Sequence, residues 1–197
     1  QALPKHGHAI VGGDVVRAWK VSEWTNAQIM TVGNNPEDSL WYSDMQYRAS
    51  SSNQQSRGTS FKLHWKGSVI PCFLPDVVGE AAVLSACFAA AVGMVEDIPL
   101  LEIGQRLGRT QFPAGRMHLV EAIRHSVIID DTYNASPNAM NGALDVLDRL
   151  GKAEGRTTWA VLGDMAELGP QTEEFHRQIG RRIAELRPAR LVTVGSK

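Results

Sequence analysis

Two polar segments, each placed directly after an apolar run, hold the residue types best suited to chemistry. The first follows Val127–Ile129 and reads DDTYNASP, and the second follows a run that ends at Leu162 and reads GDMAELG. In an open α/β sheet, ligands bind in the crevice beyond the carboxyl ends of the strands. Acids, amides and hydroxyls delivered there predict a site for a polar substrate or a nucleotide.

Hydrophobic periodicity predicts the elements that position these segments. Ser136 is a good N-cap and Pro137 suits the first helical position, so a helix is predicted from Pro137 to about Leu150. The pattern then predicts a mostly buried strand over 157–162, a helix near Thr172–Arg187 and a strand over Leu191–Val194. Strands that alternate with helices at this spacing imply right-handed crossovers and a parallel sheet. We expect this sheet to be incomplete at Lys197, with an exposed apolar edge.

The region before residue 113 has a different pattern. Two short strands are predicted, at His8–Val11 followed by Gly12, Gly13 and Asp14, and at Ile29–Gly33. A hairpin of Thr59–Trp65 with Ser68–Phe73, a polar loop over 50–60, and helices over 78–92 and 98–107 are also predicted. Residues 112–115 form the joint, so we place a domain boundary near residue 113.

Three motifs in the second half resemble the muramyl ligase (Mur ligase) family. They read DDTYNASPNAM, VLGDMAELG and EEFHRQIG, and the step Gly115-Arg116 precedes them. The resemblance covers roughly residues 115–197. It implies that 113–197 are a truncated, Rossmann-like C-terminal domain and that 1–112 are the C-terminal part of the central ATPase domain, both of α/β class.

The resemblance also implies an activity. GDMAELG points to the family member that adds D-alanyl-D-alanine to UDP-N-acetylmuramoyl-tripeptide in peptidoglycan precursor synthesis. Such an enzyme is a cytoplasmic amide ligase that uses ATP and Mg²⁺ and activates the peptide carboxylate as an acyl phosphate. The implied partners are these two substrates, without nucleic acid and without membrane insertion.

The family's functional residues map onto both polar segments. By this resemblance Arg116 contacts the ATP phosphates and Asp131 the ribose, and both count as catalytic and cofactor-binding. A planar guanidinium suits phosphoryl charge, and a carboxylate suits ribose hydroxyls. Asn134 is assigned to both cofactor and substrate. The remaining substrate-binding assignments are Tyr133, Ser136, Asp164 and Glu167.

A structural alternative exists for part of this set. Asn134 and Ser136 can cap the following helix, and Asp164 can cap the turn before Gly169, as short polar side chains often do. His176 lies one turn into a predicted helix beside an apolar stripe, which favours a half-buried, hydrogen-bonded residue over a chemical role. The histidines lack metal-ligand spacing, so no protein-held metal is predicted.

The sequence departs from the family in two places. No glycine-rich phosphate loop with its lysine occurs, so we expect the 197 residues alone to be inactive. The family pattern His-Asn-x-x-Asn-Ala, whose asparagine reads adenine, is replaced by Val77–Ala82, and Glu80 is a candidate for that contact. These departures leave a second hypothesis open: a diverged, non-catalytic module that binds a nucleotide sugar or a protein.

Composition excludes several classes of protein. The formal net charge is -1, so no overall field favours nucleic acid or an anionic membrane. The two cysteines, Cys72 and Cys87, are too few for a disulfide framework and lie in apolar segments, which predicts buried thiols. No apolar run reaches the roughly 18 residues that a membrane span needs.

Overall fold

A computed structural model describes residues 3–13, 21, 23–50 and 56–196. Its chain forms two compact units. The first comprises 1–46, 58–75 and 80–111, and the second comprises 47–57, 76–79 and 112–197. Asp14 and the centre of the predicted polar loop, residues 51–55, lie outside the described residues. Because two short segments before residue 113 join the second unit, the domain assignment at 112/113 stays a prediction.

The first unit contains a five-stranded mixed sheet. Its strands in spatial order are β1 (His8–Gly12), β2 (Gln28–Gly33), β3 (Leu40–Arg48), β4 (Gly58–Trp65) and β5 (Ser68–Pro75). The pairs β1–β2 and β2–β3 are parallel, and β4–β5 is an antiparallel hairpin. Lys66 and Gly67 turn this hairpin with positive φ at both positions, which matches the right-handed twist of the strands. The predicted hairpin is confirmed, whereas the sequence analysis missed β3.

Two helices follow this sheet: α1 (Glu80–Val95) and α2 (Leu100–Leu107). Helix α1 begins two residues later than predicted because Gly79 has φ +104°, outside the helical range. Cys87 is buried in α1, and burial raises the pKa of its thiol to about 12. Burial likewise raises the pKa of Cys72 to about 11. Both cysteines are therefore buried thiols, as predicted.

The second unit contains two small two-stranded sheets. Strand β6 (His118–Glu121) pairs antiparallel with β7 (Val127–Asp130), and β8 (Trp159–Gly163) pairs parallel with β9 (Arg190–Val194). The α/β class is confirmed. The prediction of one parallel sheet was wrong for β7, because Arg124 and His125 adopt positive φ and turn the chain into a hairpin with β6.

Helices α3 (Pro137–Glu154) and α4 (Thr172–Leu186) complete the second unit. Helix α3 contributes to two hydrophobic clusters. One contains Met140, Leu144, Ala160, Met165, Ile179 and Ile183, and the other contains Ala49, Val78, Leu119, Val146 and Leu150. Helix α3 ends at Glu154, and the next residue, Gly155, is its C-cap in the left-handed conformation with φ +61°.

The pair β8–β9 keeps one apolar face open. Trp159 is 62% exposed and Val161 66% exposed, whereas Ala160 between them is buried. The prediction of a mostly buried strand over 157–162 was therefore wrong, since β8 alternates between a covered and an open face. These side chains lie on a face of the strand pair, so the exposed apolar edge expected from the sequence stays a prediction. Among the described residues, no helix combines the length and apolar character needed to cross a bilayer.

Candidate functional site

A tight backbone contact joins the segment before β6 to the loop after β7. The N–H of Tyr133 donates to the carbonyl oxygen of Gly115 at 3.1 Å. Gly115 is buried and has φ +74°, and an added Cβ would lie 3.1 Å from the nitrogen of Tyr133. Only glycine combines this conformation with this approach. The contact brings Arg116 next to the loop that carries the predicted site residues.

Arg116 stacks on Tyr133. Its guanidinium carbon lies 3.9 Å from the ring centroid, a cation–π geometry. Both side chains are exposed, and no salt bridge to Arg116 forms among the described residues. Stacking uses the face of the guanidinium, so the N–H groups in its plane can still bind an anion. The structure thus brings together two residues that the sequence analysis assigned to different ligands.

Asp131 lies close to this backbone contact between Gly115 and Tyr133. Its Oδ1 accepts a hydrogen bond from the N–H of Met117 at 3.1 Å. Burial raises the pKa of Asp131, while the Met117 hydrogen bond and the Arg116 charge oppose the shift and the neighbouring Asp130 adds to it. Arg116 and Asp131 are therefore close enough to interact electrostatically.

Asn134 and Ser136 both have a local structural role. Asn134 Oδ1 accepts from the N–H of Ala135 at 2.9 Å, and Ser136 Oγ accepts from the N–H of Ala139 at 3.3 Å as the N-cap of α3. The capping alternative is thus confirmed for Ser136. Asn134 and Tyr133 are exposed, and the substrate contacts of all three residues stay predictions.

The second loop, residues 164–169, follows β8. Asp164 Oδ2 accepts from the N–H of Ser196 at 2.8 Å, which ties the ends of β8 and β9 together. Glu167 is exposed and has φ +60°. His176 reaches this loop from α4 and accepts a hydrogen bond from the N–H of Met165. The prediction of a half-buried, hydrogen-bonded His176 is confirmed, but no pattern in the sequence identifies this loop as its partner.

Glu80, the candidate adenine contact, lies at the start of α1 in the first unit. Its Oε1 accepts from the hydroxyl of Tyr42 at 2.6 Å and from Nδ2 of Asn34 at 3.4 Å. Its role toward a ligand stays a prediction. Within the described ranges, no group of three or more His, Cys, Asp or Glu side chains could hold a metal ion.

Comparison with known proteins supports the fold and shows which proteins this chain is similar to. Residues 115–197 match the family described as Mur ligase, glutamate ligase domain. A crystal structure of MurF from Acinetobacter baumannii superposes with a TM-score of 0.81 at 28% identity, over 98% of this chain and 40% of that one. The chain is thus similar to Mur ligases, with the family match over residues 115–197. The resemblance carried by the three motifs is thereby confirmed.

Two further Mur ligase comparisons agree. The UDP-N-acetylmuramoyl-tripeptide–D-alanyl-D-alanine ligase of Mycobacterium tuberculosis is 29% identical over 201 residues, covering all of this chain and 38% of the relative. MurF from Thermotoga maritima, solved in complex with ADP, has a TM-score of 0.73 at 19% identity, over 98% of this chain and 44% of that one, and shows the fold alone. The chain therefore spans about two fifths of the length of these relatives.

Proposed function

We propose that this chain belongs to a ligase that joins D-alanyl-D-alanine to UDP-N-acetylmuramoyl-tripeptide in peptidoglycan precursor synthesis. The observation that carries the proposal is the cluster of Arg116, Tyr133 and Asp131 around Gly115, within the segment that matches the ligase family. A stacked, exposed arginine beside a carboxylate is chemically suited to bind a nucleotide, the arginine through the phosphates and the carboxylate through the ribose. The M. tuberculosis relative carries this activity in its name and supports the substrate pair.

The residues fit ATP as the energy source. When bound, ATP supplies the phosphoryl group that converts the peptide carboxylate into an acyl phosphate, and Mg²⁺ accompanies its phosphates. Arg116 would bind the phosphates through its in-plane N–H groups while Tyr133 holds its face. Asp131 would accept hydrogen bonds from the ribose through the carboxylate that Met117 orients.

The other polar residues would bind the peptide and the incoming dipeptide. Tyr133, Asn134 and Ser136 surround the start of α3, and Asp164 and Glu167 belong to the loop after β8. Because nucleotide-linked precursors and ATP are made in the cytoplasm, we place the enzyme there. In this proposal residues 1–112 are the C-terminal part of the central domain, and residues 113–197 are part of the C-terminal domain.

One observation favours a second candidate. The segment Val77–Ala82 lacks the asparagine that reads adenine, and Glu80, the residue best placed to replace it, already accepts hydrogen bonds from Tyr42 and Asn34. A diverged module that binds a nucleotide sugar or a protein partner without turnover would keep the fold and lose this contact. The Arg116 cluster favours the ligase, since Arg116 and Asp131 are both retained where the resemblance implies contacts to ATP.

Phosphate release by the full-length protein separates the two candidates. The assay contains ATP, Mg²⁺ and UDP-N-acetylmuramoyl-tripeptide, with and without D-alanyl-D-alanine. Release that requires the dipeptide supports the ligase and its amino substrate together. Absence of release under every combination, in a protein that still binds the UDP-linked peptide, supports the diverged module. The 197 residues alone should release no phosphate, because phosphoryl transfer needs its phosphate loop and metal in place.

A further inference from the structure

His176 connects the second loop to α4 through both ring nitrogens. Its Nε2 accepts from the backbone N–H of Met165 at 3.1 Å, and its Nδ1 lies 2.7 Å from the carbonyl oxygen of Thr172. A backbone N–H can only donate and a carbonyl can only accept, so these partners require the neutral tautomer with its proton on Nδ1. Both nitrogens are therefore used within the protein, which leaves neither to transfer a proton to a substrate.

Met165, whose N–H binds His176, is also held in place by the packing of its side chain. Met165 is only 3% exposed and packs in the hydrophobic cluster that includes Ile179 and Ile183. These isoleucines follow His176 by three and seven residues, which places all three on one face of α4. The same helix face therefore holds the backbone and the side chain of Met165.

The loop is also attached at both of its ends. Asp164 Oδ2 accepts from the N–H of Ser196, and the hydroxyl of Thr172 donates to the carbonyl oxygen of Gly169 at 2.7 Å. Between these attachments the exposed Glu167 adopts φ +60°, a conformation that a non-glycine residue rarely takes without support. The carboxylate of Asp164 is used to join two strands, whereas that of Glu167 faces solvent.

We infer that His176 is a positioning residue for amine-substrate binding: it fixes the loop so that Glu167 presents its carboxylate to the positively charged amino group of the incoming substrate. A carboxylate binds an ammonium group through charge-assisted hydrogen bonds that depend on position. The inference rests on the proposed function. It assigns Asp164 to the structure of the loop and Glu167 to contact with the substrate.

Two substitutions of His176 test the inference by kinetics in the full-length protein. His176→Phe keeps a ring but removes both hydrogen bonds, whereas His176→Gln keeps an amide group that can accept from the N–H of Met165. We expect H176F to raise the KM for D-alanyl-D-alanine about tenfold, the worth of one good hydrogen bond, with the KM for ATP unchanged. H176Q should stay within about threefold of the wild type.

Two further variants serve as controls. Phe175→Leu alters packing against the same hydrophobic cluster without touching the bond to Met165, so it should lower stability and leave the dipeptide KM unchanged. Glu167→Gln should raise the dipeptide KM while hydrogen exchange of the loop stays as in the wild type. An equal rise in KM for H176F and H176Q, or for H176F and F175L, would overturn the inference.

Hydrogen exchange in the same full-length variants separates failure of this inference from failure of the proposed function. We expect amides of 164–169 to exchange about tenfold faster in H176F than in the wild type, and at close to the wild-type rate in H176Q. If the wild type does not use D-alanyl-D-alanine, the proposed function and the substrate role of Glu167 both fail. If H176F leaves loop exchange unchanged, the positioning role of His176 fails even in an active ligase.

Discussion

The loops after β7 and β8 hold their polar residues in opposite ways. In the loop of residues 131–136, the N–H of Tyr133 donates to Gly115, and the exposed ring of Tyr133 is covered on one face by Arg116, which has no salt-bridge partner among the described residues. In the loop of residues 164–169, side chains bind the protein's own backbone: His176 accepts from the N–H of Met165, and the Asp164 carboxylate accepts from the N–H of Ser196. The charged group beside the first loop has no ion-pair partner among the described residues, whereas the polar side chains at the second loop are bound to the protein's own backbone.

This difference separates residues that can act on a ligand from residues that serve the fold. Arg116 has a stacked face and no salt-bridge partner among the described residues, so its charge is available for a phosphate. His176 has a protein partner at each nitrogen, so its chemistry is used in folding. Removal of an unpaired charged group such as Arg116 should reduce activity. Removal of a group bound within the protein, such as His176, should disturb the conformation.

The largest effect is expected for Arg116→Ala in the full-length protein. Loss of an arginine that spreads phosphoryl charge should lower turnover by at least about a hundredfold. The side chain is exposed, so the free energy of unfolding should change by less than about 0.5 kcal/mol. Arg116→Lys keeps the charge but loses the planar stack, so its turnover should lie between that of the wild type and that of R116A. Equal turnover in wild type and R116A would remove this arginine from the mechanism.

The next effect concerns the attachment of the second loop. Gly195 has φ +138°, and an added Cβ would overlap the carboxylate of Asp164. Gly195→Ala should therefore lower the free energy of unfolding by about 1–3 kcal/mol, because the strain falls where Asp164 binds Ser196. Gly180→Ala in α4 is the matched control, since its added Cβ meets nothing within 4 Å.

The control should move stability in the other direction. Alanine at position 180 is a better helix former than glycine, which predicts a gain of about 0.5–1 kcal/mol in denaturant unfolding. A loss of equal size in both variants would mean that the tie between Asp164 and Ser196 has no special role in this region.

A smaller effect is expected in the first loop. Ser136→Ala removes the oxygen that accepts from the N–H of Ala139, which should cost about 1 kcal/mol of stability. Ser136→Asn retains a capping group and should cost only a few tenths of that. If the capping role is the whole role of Ser136, both variants keep the wild-type substrate KM. A raised KM in the stably folded S136N variant would add a substrate contact.

Local signals predicted most elements of the fold. The Ser136-Pro137 start of α3, the Lys66-Gly67 turn and the apolar stripe of α4 all act within a few residues, so they can be found in one sequence. Strand β3 was missed because Leu40–Arg48 mixes apolar and polar residues and a bulge-like positive φ at Asp44 interrupts its alternation.

The candidate site was only partly predictable for a related reason. The residue types of Arg116 and Asp131 stood out beside a recognisable motif, but their mutual position depends on the contact of Gly115 with Tyr133, about 18 residues away. The bond between His176 and Met165 likewise spans two elements. No pattern along the chain specifies such pairs, because folding and not sequence spacing brings them together.

The smallest expected effect is a pH dependence that distinguishes Asp131 from Glu154. Burial raises the pKa of Asp131 above its ordinary 3.8, so its contribution to stability is present at low pH and is lost as the pH rises through the folded-state pKa. Asp131→Asn keeps an oxygen acceptor for Met117 but cannot ionise. The free energy of unfolding of this variant should therefore increase slightly relative to that of the wild type as the pH rises from below 3.8.

Glu154 should behave with the opposite sign. Burial alone would raise its pKa, but hydrogen bonds from the hydroxyl of Ser50, the N–H of Ala49 and the guanidinium of Arg156 lower it below 4.5. Its contribution is present above pH 4.5 and is lost as the pH falls through the folded-state pKa, so Glu154→Gln should lose stability relative to the wild type as the pH rises. Urea unfolding at several pH values measures both trends. Parallel curves for D131N and E154Q would contradict the assignment, because a carboxylate whose pKa burial raises and one whose pKa several donors lower cannot respond alike.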